Sequence, residues 1–281
     1  MKKIFNLWVL LFPAVFWLVV FFLAPLAIIG VYSFTQRNPY GSVTWVFTWS
    51  NYLKALNWLY LKTLFRSFGM AFVTTLACLV IGYPMAYYIA FASPKVKNVL
   101  LLFLVIPFWT NFLLRTYAWM GILQERGVLN LILMRLGLID EPLQLLFTFK
   151  GLMIGMIYGY LPFMVLPIYT SLEKLNPLLL EVSMDLGAKP FETLRRVTIP
   201  LTLPGIVAGI VLVFVPAIGE FVIPNILGGA KALLIGNVIA NQFLTIRNWP
   251  FGAALTVILI VFVLLGLGVV FKYSNVEVTG R

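Results

Sequence analysis

Very few residues of this sequence could carry out catalysis. The 281-residue sequence contains no histidine and a single cysteine, Cys78. A Ser-His-Asp or Cys-His nucleophile, an imidazole metal ligand, a cysteine-built zinc site and an internal disulfide are therefore all excluded. The stretch most similar to a phosphate-binding loop, at residues 228–232, lacks both the spacing and the final hydroxyl of G-x-x-x-x-G-K-[ST]. We therefore predict that the chain is not an enzyme, has no catalytic or metal site and does not bind ATP itself.

The acidic residue of greatest chemical interest is Glu220, the only carboxylate inside the predicted membrane spans. Ionisable groups in spans are costly, so function is the first hypothesis for them. Pro216, Gly219 and Pro224 surround Glu220 with residues that interrupt helices. At about 1.5 Å per residue, Glu220 would lie roughly 30 Å along a helix from the start of its span, towards the outer mouth. Two simpler interpretations stay open: an ion pair with Arg115, or a carboxylate that faces interfacial water.

The elements that must position these residues are membrane-spanning helices. With 62% apolar and only 10% charged residues, the chain has too little polar surface for a soluble fold. A span needs roughly 20 apolar residues and must satisfy its own backbone groups, so each span is predicted to be a helix. The predicted fold is all-α: a polytopic membrane protein that forms one transmembrane domain over residues 1–281. Its six predicted spans lie near residues 8–31, 65–91, 98–123, 145–171, 201–224 and 253–272.

The distribution of positive charge predicts the orientation of the chain. The net charge of +11 comes from 20 Lys and Arg residues, which are scattered between spans and form no basic run typical of nucleic-acid binding. Six spans place both termini on one side, and Lys2 and Lys3 place that side in the cytoplasm. The first span is long enough to cross and has no cleavage pattern, so it is predicted to remain uncleaved.

Glycine and proline positions predict how the spans pack. Gly151, Gly155 and Gly159 recur every fourth residue in the fourth span, and Gly205 and Gly209 do so in the fifth. Such spacing lets neighbouring backbones approach closely. Prolines also interrupt the third, fourth and fifth spans, and the freed carbonyls are tolerated where backbone is buried or lines a cavity. This pattern favours a transport core over a simple membrane anchor.

The longest inside segment, residues 172–200, has the pattern of a short helix. An Asn-Pro pair at 176–177 suits a helix start, and the glycine at 187 suits its end. Glu181 and Asp185 are spaced by four and therefore share one face. A second apolar stripe follows the glycine. From periodicity alone, this segment could simply be an amphipathic helix that lies on the membrane surface.

The same segment resembles the "EAA" loop of importer permeases in the ATP-binding cassette (ABC) superfamily. The resemblance rests on Glu181, Gly187, Val197 and the final Ile199-Pro200, whereas Val182-Ser183 stands where the family usually has two alanines. We call residues 172–200 the coupling loop, because in that family the loop helix sits in a cleft of a separate ATPase subunit and transmits its closure. The resemblance implies a dimer of ATPase subunits as partner, which would hold ATP and Mg²⁺, and no cofactor in this chain.

The residues that the resemblance places at the ATPase interface all lie in the coupling loop. They are Glu181, Asp185, Gly187, Ala188 and Phe191.

Further segments resemble the permeases of spermidine/putrescine importers. They are PFWTN at 107–111, RTYAW at 115–119, LPFMVLPIY at 161–169, LGGA at 227–230, LIGN at 234–237 and NWPFG at 248–252. The likeness is to the permease whose gene comes first of two. It implies a bacterial inner-membrane location, a heterodimer with a second, similar permease, an extracytoplasmic polyamine-binding protein and alternating access.

Within this interpretation, certain residues are candidates for the substrate pathway, because polyamine cations bind to ring faces as well as to carboxylates. The candidates are Glu220, Trp109, Asn111, Tyr117 and Tyr160. Arg115 would repel a cation, so we expect it to point away and either snorkel to the outer interface or pair with an acid.

Two other functions stay open at this stage. The first is an ABC importer of a different solute, such as an anion or a metal complex. The second is an ion-coupled secondary transporter or channel that needs no ATPase. The coupling loop argues against the second, because a secondary transporter has no reason to present such a helix to the cytoplasm.

Overall fold

A computed structural model of the chain describes residues 11–13, 15–38, 41–229 and 233–273. The start of the first predicted span, Lys2, Lys3, Ala230 and the tail after residue 273 lie outside the described residues.

Helices make up nearly all of the regular structure in the described residues. A small antiparallel sheet pairs β1 (Gln36–Arg37) with β2 (Val43–Thr44), with Gln36 opposite Thr44. The helices are α1 (Leu11–Ser33), α2 (Ser50–Ala55), α3 (Trp58–Phe91), α4 (Pro94–Trp109), α5 (Phe112–Leu123), α6 (Val128–Arg135), α7 (Phe149–Glu173), α8 (Leu178–Asp185), α9 (Pro190–Leu201), α10 (Leu203–Gly219), α11 (Ile235–Leu244) and α12 (Trp249–Tyr273). Wider π-helical turns occur at Val19–Leu23, Leu194–Thr198 and Pro224–Gly228.

Among the described residues, α1, α3, α7 and α12 are each long and apolar enough to cross a membrane. Two bent pairs pass the same test together. The helix at Phe112–Arg135 is bent by 99° from α4, and α10 is bent by 68° from α9. Counting each bent pair as one span gives up to six spans.

The described residues fall into two compact units. Unit 1 comprises the described residues within Met1–Lys62 and Val238–Gly266. Unit 2 comprises the described residues within Thr63–Asn237 and Leu267–Arg281.

Unit 1 contains a polar cluster at the end of α1. The buried Asn51 amide donates to the carbonyls of Ser33, at 3.1 Å, and Thr35, at 2.8 Å. The hydroxyls of Ser33 and Tyr52 are 2.7 Å apart. These bonds satisfy carbonyls at the end of α1 and fix α2 beside it.

The core of unit 2 is built around α7. In its most apolar window 61% of the residues are buried, whereas the corresponding window of α1 has none. Met164, Val165 and Ile168 of α7 are completely buried. Helix α7 begins after Thr148, whose hydroxyl caps it by accepting from the Gly151 N–H at 3.3 Å.

Close packing between α7 and α10 occurs at the glycines whose spacing predicts it. A Cβ on Gly205 would lie 2.5 Å from Ser171 Cβ and 2.6 Å from the Pro167 carbonyl oxygen. A Cβ on Gly209 would lie 2.8 Å from Met164 Sδ. The contact at Gly205 includes backbone, which cannot move aside as a flexible side chain can. Glycine is therefore required there for the two helices to approach.

We expect Gly205→Ala to destabilise unit 2 by about 1–3 kcal/mol, because the added methyl group overpacks a rigid contact. The measurement is the thermal unfolding temperature of the purified protein in detergent. Gly69→Ala is the matched control, since no atom from outside its own helix lies within 4 Å of a Cβ built on that glycine. Equal unfolding temperatures for the two variants would contradict this account of the helix contact.

Candidate functional site

Glu220 lies at a break between two helical segments. Helix α10 ends at Gly219, before the boundary near 224 that hydropathy suggests, and Glu220 has extended backbone angles (φ −62°, ψ 131°). Its Oε1 accepts hydrogen bonds from the N–H groups of Phe221 at 3.0 Å, Val222 at 2.8 Å and Ile223 at 3.3 Å. The carboxylate thus caps the start of the next helical turn, where unpaired N–H groups favour a negative charge.

The second carboxylate oxygen of Glu220 is bound by α7. The Tyr160 hydroxyl donates to Glu220 Oε2 at 2.7 Å, and Tyr160 is only 7% exposed. Two candidates that lie far apart in the sequence are therefore in direct contact. Their contact holds the break after α10 against the most buried helix of unit 2.

Helix α10 runs from Leu203 to Gly219, which is about 25 Å at 1.5 Å per residue. The 68° bend that precedes α10 lies near the start of the predicted span, so it shortens the expected distance to Glu220 only slightly. The position of Glu220 towards the outer mouth stays a prediction.

Helix α11 completes the arrangement around Glu220. A Cβ on Gly236 would lie 2.7 Å from the Glu220 carbonyl oxygen, so only glycine permits this approach. The Asn237 amide donates to the Phe221 carbonyl at 3.1 Å and to Asn225 Oδ1. We call Tyr160, Gly219–Phe221, Asn225, Gly236 and Asn237 the Glu220 junction. Sequence reasoning missed Asn237, because an amide in a polar outer segment has no distinguishing pattern.

Arg115 does not form the ion pair with Glu220 that the sequence left open. Its guanidinium lies 4.9 Å from the centroid of the Phe108 ring and 5.7 Å from that of Phe112. Both contacts are typical cation–π distances. Among the described residues the one ion pair joins Lys97 to Glu173, at 3.2 Å. The charge of Glu220 is therefore not neutralised by a described arginine or lysine.

A second helix break, between α4 and α5, contains Trp109 and Asn111. The Asn111 side chain accepts from the Leu113 N–H at 2.8 Å and caps α5. Trp109 is 80% exposed, and Tyr117 on α5 is half exposed. Asn111 therefore has a structural role in capping, while Trp109 presents its ring outwards.

Aromatic rings connect the two breaks. The Phe108 ring meets the Phe163 ring edge-on at 5.2 Å, and Phe163 in turn lies 6.4 Å from the Tyr160 ring. Tyr160 ends this row at the Glu220 carboxylate. The row therefore joins the α4 end that carries Trp109 to the Glu220 carboxylate through continuous side-chain contacts.

The coupling loop forms the helical hairpin that its sequence predicts. The Asn176 side chain accepts from the Leu178 N–H at 3.1 Å, at the start of α8. Gly187 follows the helix with φ +89°, a conformation that residues with a Cβ rarely adopt. The hydroxyls of Ser183 and Thr193 lie 3.0 Å apart and brace α8 against α9.

The residues predicted to meet an ATPase lie on the outside of this hairpin. Glu181, Asp185 and Gly187 are exposed, Phe191 is 72% exposed and Ala188 is half buried. Other apolar side chains on the hairpin are also exposed: Leu178, Leu179, Val182, Met184 and Leu186. An exposed apolar surface of this kind, interspersed with acids, is typical of a protein contact.

The coupling loop is linked to the membrane helices at the bend between α9 and α10. Thr202 is buried at this bend, and its hydroxyl donates to the Thr198 carbonyl at 2.8 Å. The Tyr83 hydroxyl of α3 lies 3.2 Å from Thr202 Oγ1. The Lys97–Glu173 ion pair places the start of α4 and the end of α7 on the same face.

Comparisons with known proteins agree with this architecture. The family described as "Binding-protein-dependent transport system inner membrane component" matches residues 78–274. The spermidine/putrescine transport system permease protein PotB of Escherichia coli (strain K12) is 49% identical over 260 residues, covering 92% of this chain and 94% of PotB. PotB of Haemophilus influenzae is 41% identical over 259 residues, with coverage of 92% and 91%.

A solved bacterial ABC transporter involved in the import of the acidic polysaccharide alginate has the same fold. Its matching chain superposes with a TM-score of 0.76 at 16% identity, covering 99% of this chain and 98% of that chain. The predicted fold class, an all-α polytopic membrane protein of the importer permease type, is confirmed. The predicted resemblance to spermidine/putrescine importer permeases and the prediction of a non-catalytic transport subunit of the inner membrane are confirmed as well. The chain belongs to the family of binding-protein-dependent transport system inner membrane components.

Proposed function

We propose that this chain is the membrane permease of an ATP-driven importer of polyamines such as spermidine and putrescine. The observation that carries the proposal is the 49% identity to PotB of Escherichia coli, which extends over nearly the whole of both chains. The alginate importer shares only the fold, so that likeness does not bear on the substrate.

The chemistry of the Glu220 junction is suited to binding a cationic substrate. Its carboxylate is half buried and has no described basic partner within ion-pair distance. Broken helices at membrane depth are where transporters hold their substrates, because free backbone groups and charges can face a cavity there. A primary ammonium group satisfies such a carboxylate, the exposed ring of Trp109 offers a face for the aliphatic cation, and the buried Tyr160 would meet the substrate through its hydroxyl at Glu220. We assign substrate contact to Glu220, Trp109, Tyr117 and Tyr160, with Asn111 as an amide contact.

The partners follow from the permease role. A dimer of ATPase subunits, which holds ATP and Mg²⁺, would dock on the exposed surface of the coupling loop through Glu181, Asp185, Gly187, Ala188 and Phe191. A second, similar permease would complete the pore, and an extracytoplasmic polyamine-binding protein would deliver the substrate. Residues 1–281 would form one transmembrane domain with both termini in the cytoplasm.

The hairpin geometry suggests how ATPase closure reaches the pathway. Movement of α8 would pass to α9 through the hydroxyl contact between Ser183 and Thr193. The bend at Thr202, tied to Tyr83, would then pass it to α10 and α3. Since α10 ends at the Glu220 junction, closure would change the surroundings of Glu220 and so alternate access to it.

The proposal is tested by competition. The complete transporter is reconstituted in vesicles, and ATP-dependent uptake of labelled spermidine is measured. Unlabelled spermidine, putrescine, thiosulfate or an iron chelate is added as competitor. We expect only the two polyamines to lower the uptake of labelled spermidine. Competition by thiosulfate or the iron chelate would support an importer of another solute, and uptake without any ATPase would support a secondary transporter.

We expect Trp109→Leu to reduce spermidine uptake about two- to fivefold at normal expression, because a ring face contributes about 0.5–1 kcal/mol to cation binding at an exposed site. Trp58→Leu is the control, since Trp58 is also largely exposed (70%) but is the first residue of α3 and belongs to unit 1. Uptake is measured in vesicles with both proteins at equal abundance. Wild-type uptake by Trp109→Leu would remove this residue from the pathway.

A further inference from the structure

Asn237 has a buried acceptor atom that the described chain leaves unsatisfied. The residue is only 8% exposed, and its Oδ1 has no hydrogen-bond partner among the described residues. The orientation of the amide is not arbitrary. Its Nδ2 faces two acceptors, the Phe221 carbonyl and Asn225 Oδ1, so a flipped amide would place oxygen against oxygen. Oδ1 must therefore face away from these partners.

A buried acceptor without a donor is unfavourable, so such an atom calls for a missing ligand. Oδ1 can only accept, which means that the ligand must carry an N–H or O–H group. Phe221 links Asn237 to Glu220: its N–H donates to Glu220 Oε1, and its carbonyl accepts from the Asn237 amide. The Glu220 carboxylate is hydrogen-bonded but has no described basic partner, so together with a free amide oxygen it favours a donor that is also a cation.

We propose that Asn237 Oδ1 and the Glu220 carboxylate form one ammonium-binding subsite. A primary ammonium has three N–H donors and no acceptor, which matches a site made of oxygen acceptors and one negative charge. Glu220 Oε2 already accepts from Tyr160 but has a further lone pair for the ammonium. Asn237 is thus a specificity-determining residue that recognises the N–H donors, whereas Glu220 recognises the charge. The proposal rests on the polyamine importer function.

The test uses the complete reconstituted transporter and putrescine, with uptake measured over a range of concentrations. We expect Asn237→Leu to raise the half-saturating concentration about tenfold or more while the maximal rate stays within twofold. Asn237→Gln keeps both an amide donor and an acceptor oxygen and should restore half-saturation to within about threefold of wild type. Asn241→Leu is the matched control: Asn241 lies on the same helix α11 but is exposed and outside the Glu220 junction, so its half-saturation should stay near wild type.

Three outcomes would overturn the subsite. Unchanged half-saturation in Asn237→Leu would mean that Oδ1 binds only water. A loss of maximal rate in Asn237→Leu as large as the rise in half-saturation would mean that the amide merely anchors Phe221. A folded Asn237→Gln protein that behaves like Asn237→Leu would exclude acceptance from the ammonium. If polyamines fail to compete for uptake by the wild-type transporter, the proposed function itself fails, which separates the two conclusions.

Discussion

Glu220→Gln is expected to lower polyamine uptake by roughly 10- to 100-fold. Hydrogen bonds to charged groups contribute about 1.5–3 kcal/mol, and each 1.4 kcal/mol corresponds to a factor of ten. Glutamine has almost the same shape and keeps one oxygen that can accept the N–H groups of Phe221 and Val222, so the helix cap survives. What it removes is the negative charge offered to the substrate. The measurement is the initial rate of spermidine uptake in vesicles at equal permease abundance.

Glu173→Gln is the matched control for this experiment. The Glu173 carboxylate also accepts from a tyrosine hydroxyl, that of Tyr169, but it lies at the last residue of α7 and is paired with Lys97. Removing its charge should leave the half-saturating spermidine concentration unchanged. Wild-type uptake by Glu220→Gln would show that the carboxylate only caps the helix. Restoration of uptake by adding Arg115→Gln would indicate a hidden ion pair, which the position of Arg115 over Phe108 and Phe112 argues against.

Hydropathy and turn chemistry predict much of this fold because both act locally. The long apolar runs mark the spans, and the glycine spacing marks the contact between α7 and α10. Gly187 is recognised as a helix end because a left-handed residue is needed there, and its φ of +89° agrees. The short helix of the coupling loop follows from the same local rules.

The candidate site is less predictable because its contacts are distant in sequence. Tyr160 and Glu220 are sixty residues apart (|i−j|=60), and hydropathy gives no means of pairing them. Helix breaks are equally hidden: an apolar window averages across Thr110 and Glu220, although Asn111 and Glu220 cap new helical segments there. Sequence patterns identify local helix ends better than they identify contacts between residues that are distant in the sequence.

Gly187→Val is expected to abolish transport while membrane insertion stays intact. A β-branched residue at φ +89° is strained by about 1–2 kcal/mol, and the chain can relieve that strain by unwinding the end of α8 or by redirecting α9. Either change would displace Asp185 and Phe191 relative to each other, and a docking surface tolerates such displacement poorly because it must fit a preformed cleft. Insertion should be unaffected, because no atom beyond the two neighbouring residues lies within 4 Å of a Cβ at Gly187 and the residue lies outside the candidate spans.

Two controls separate lost coupling from general strain. Gly137→Val places the same residue at another exposed glycine of positive φ (+66°), also without described atoms within 4 Å, but outside the coupling loop. Gly137→Val should carry a similar backbone strain yet retain transport.

The second control, Gly187→Asn, should retain most transport activity, since asparagine tolerates the left-handed region. Membrane abundance, co-purification of the ATPase and spermidine uptake are measured for all three variants. Because strain is matched between Gly187→Val and Gly137→Val, a selective loss of ATPase binding in the first would assign the defect to the docking surface, and normal transport by Gly187→Val would refute the coupling role.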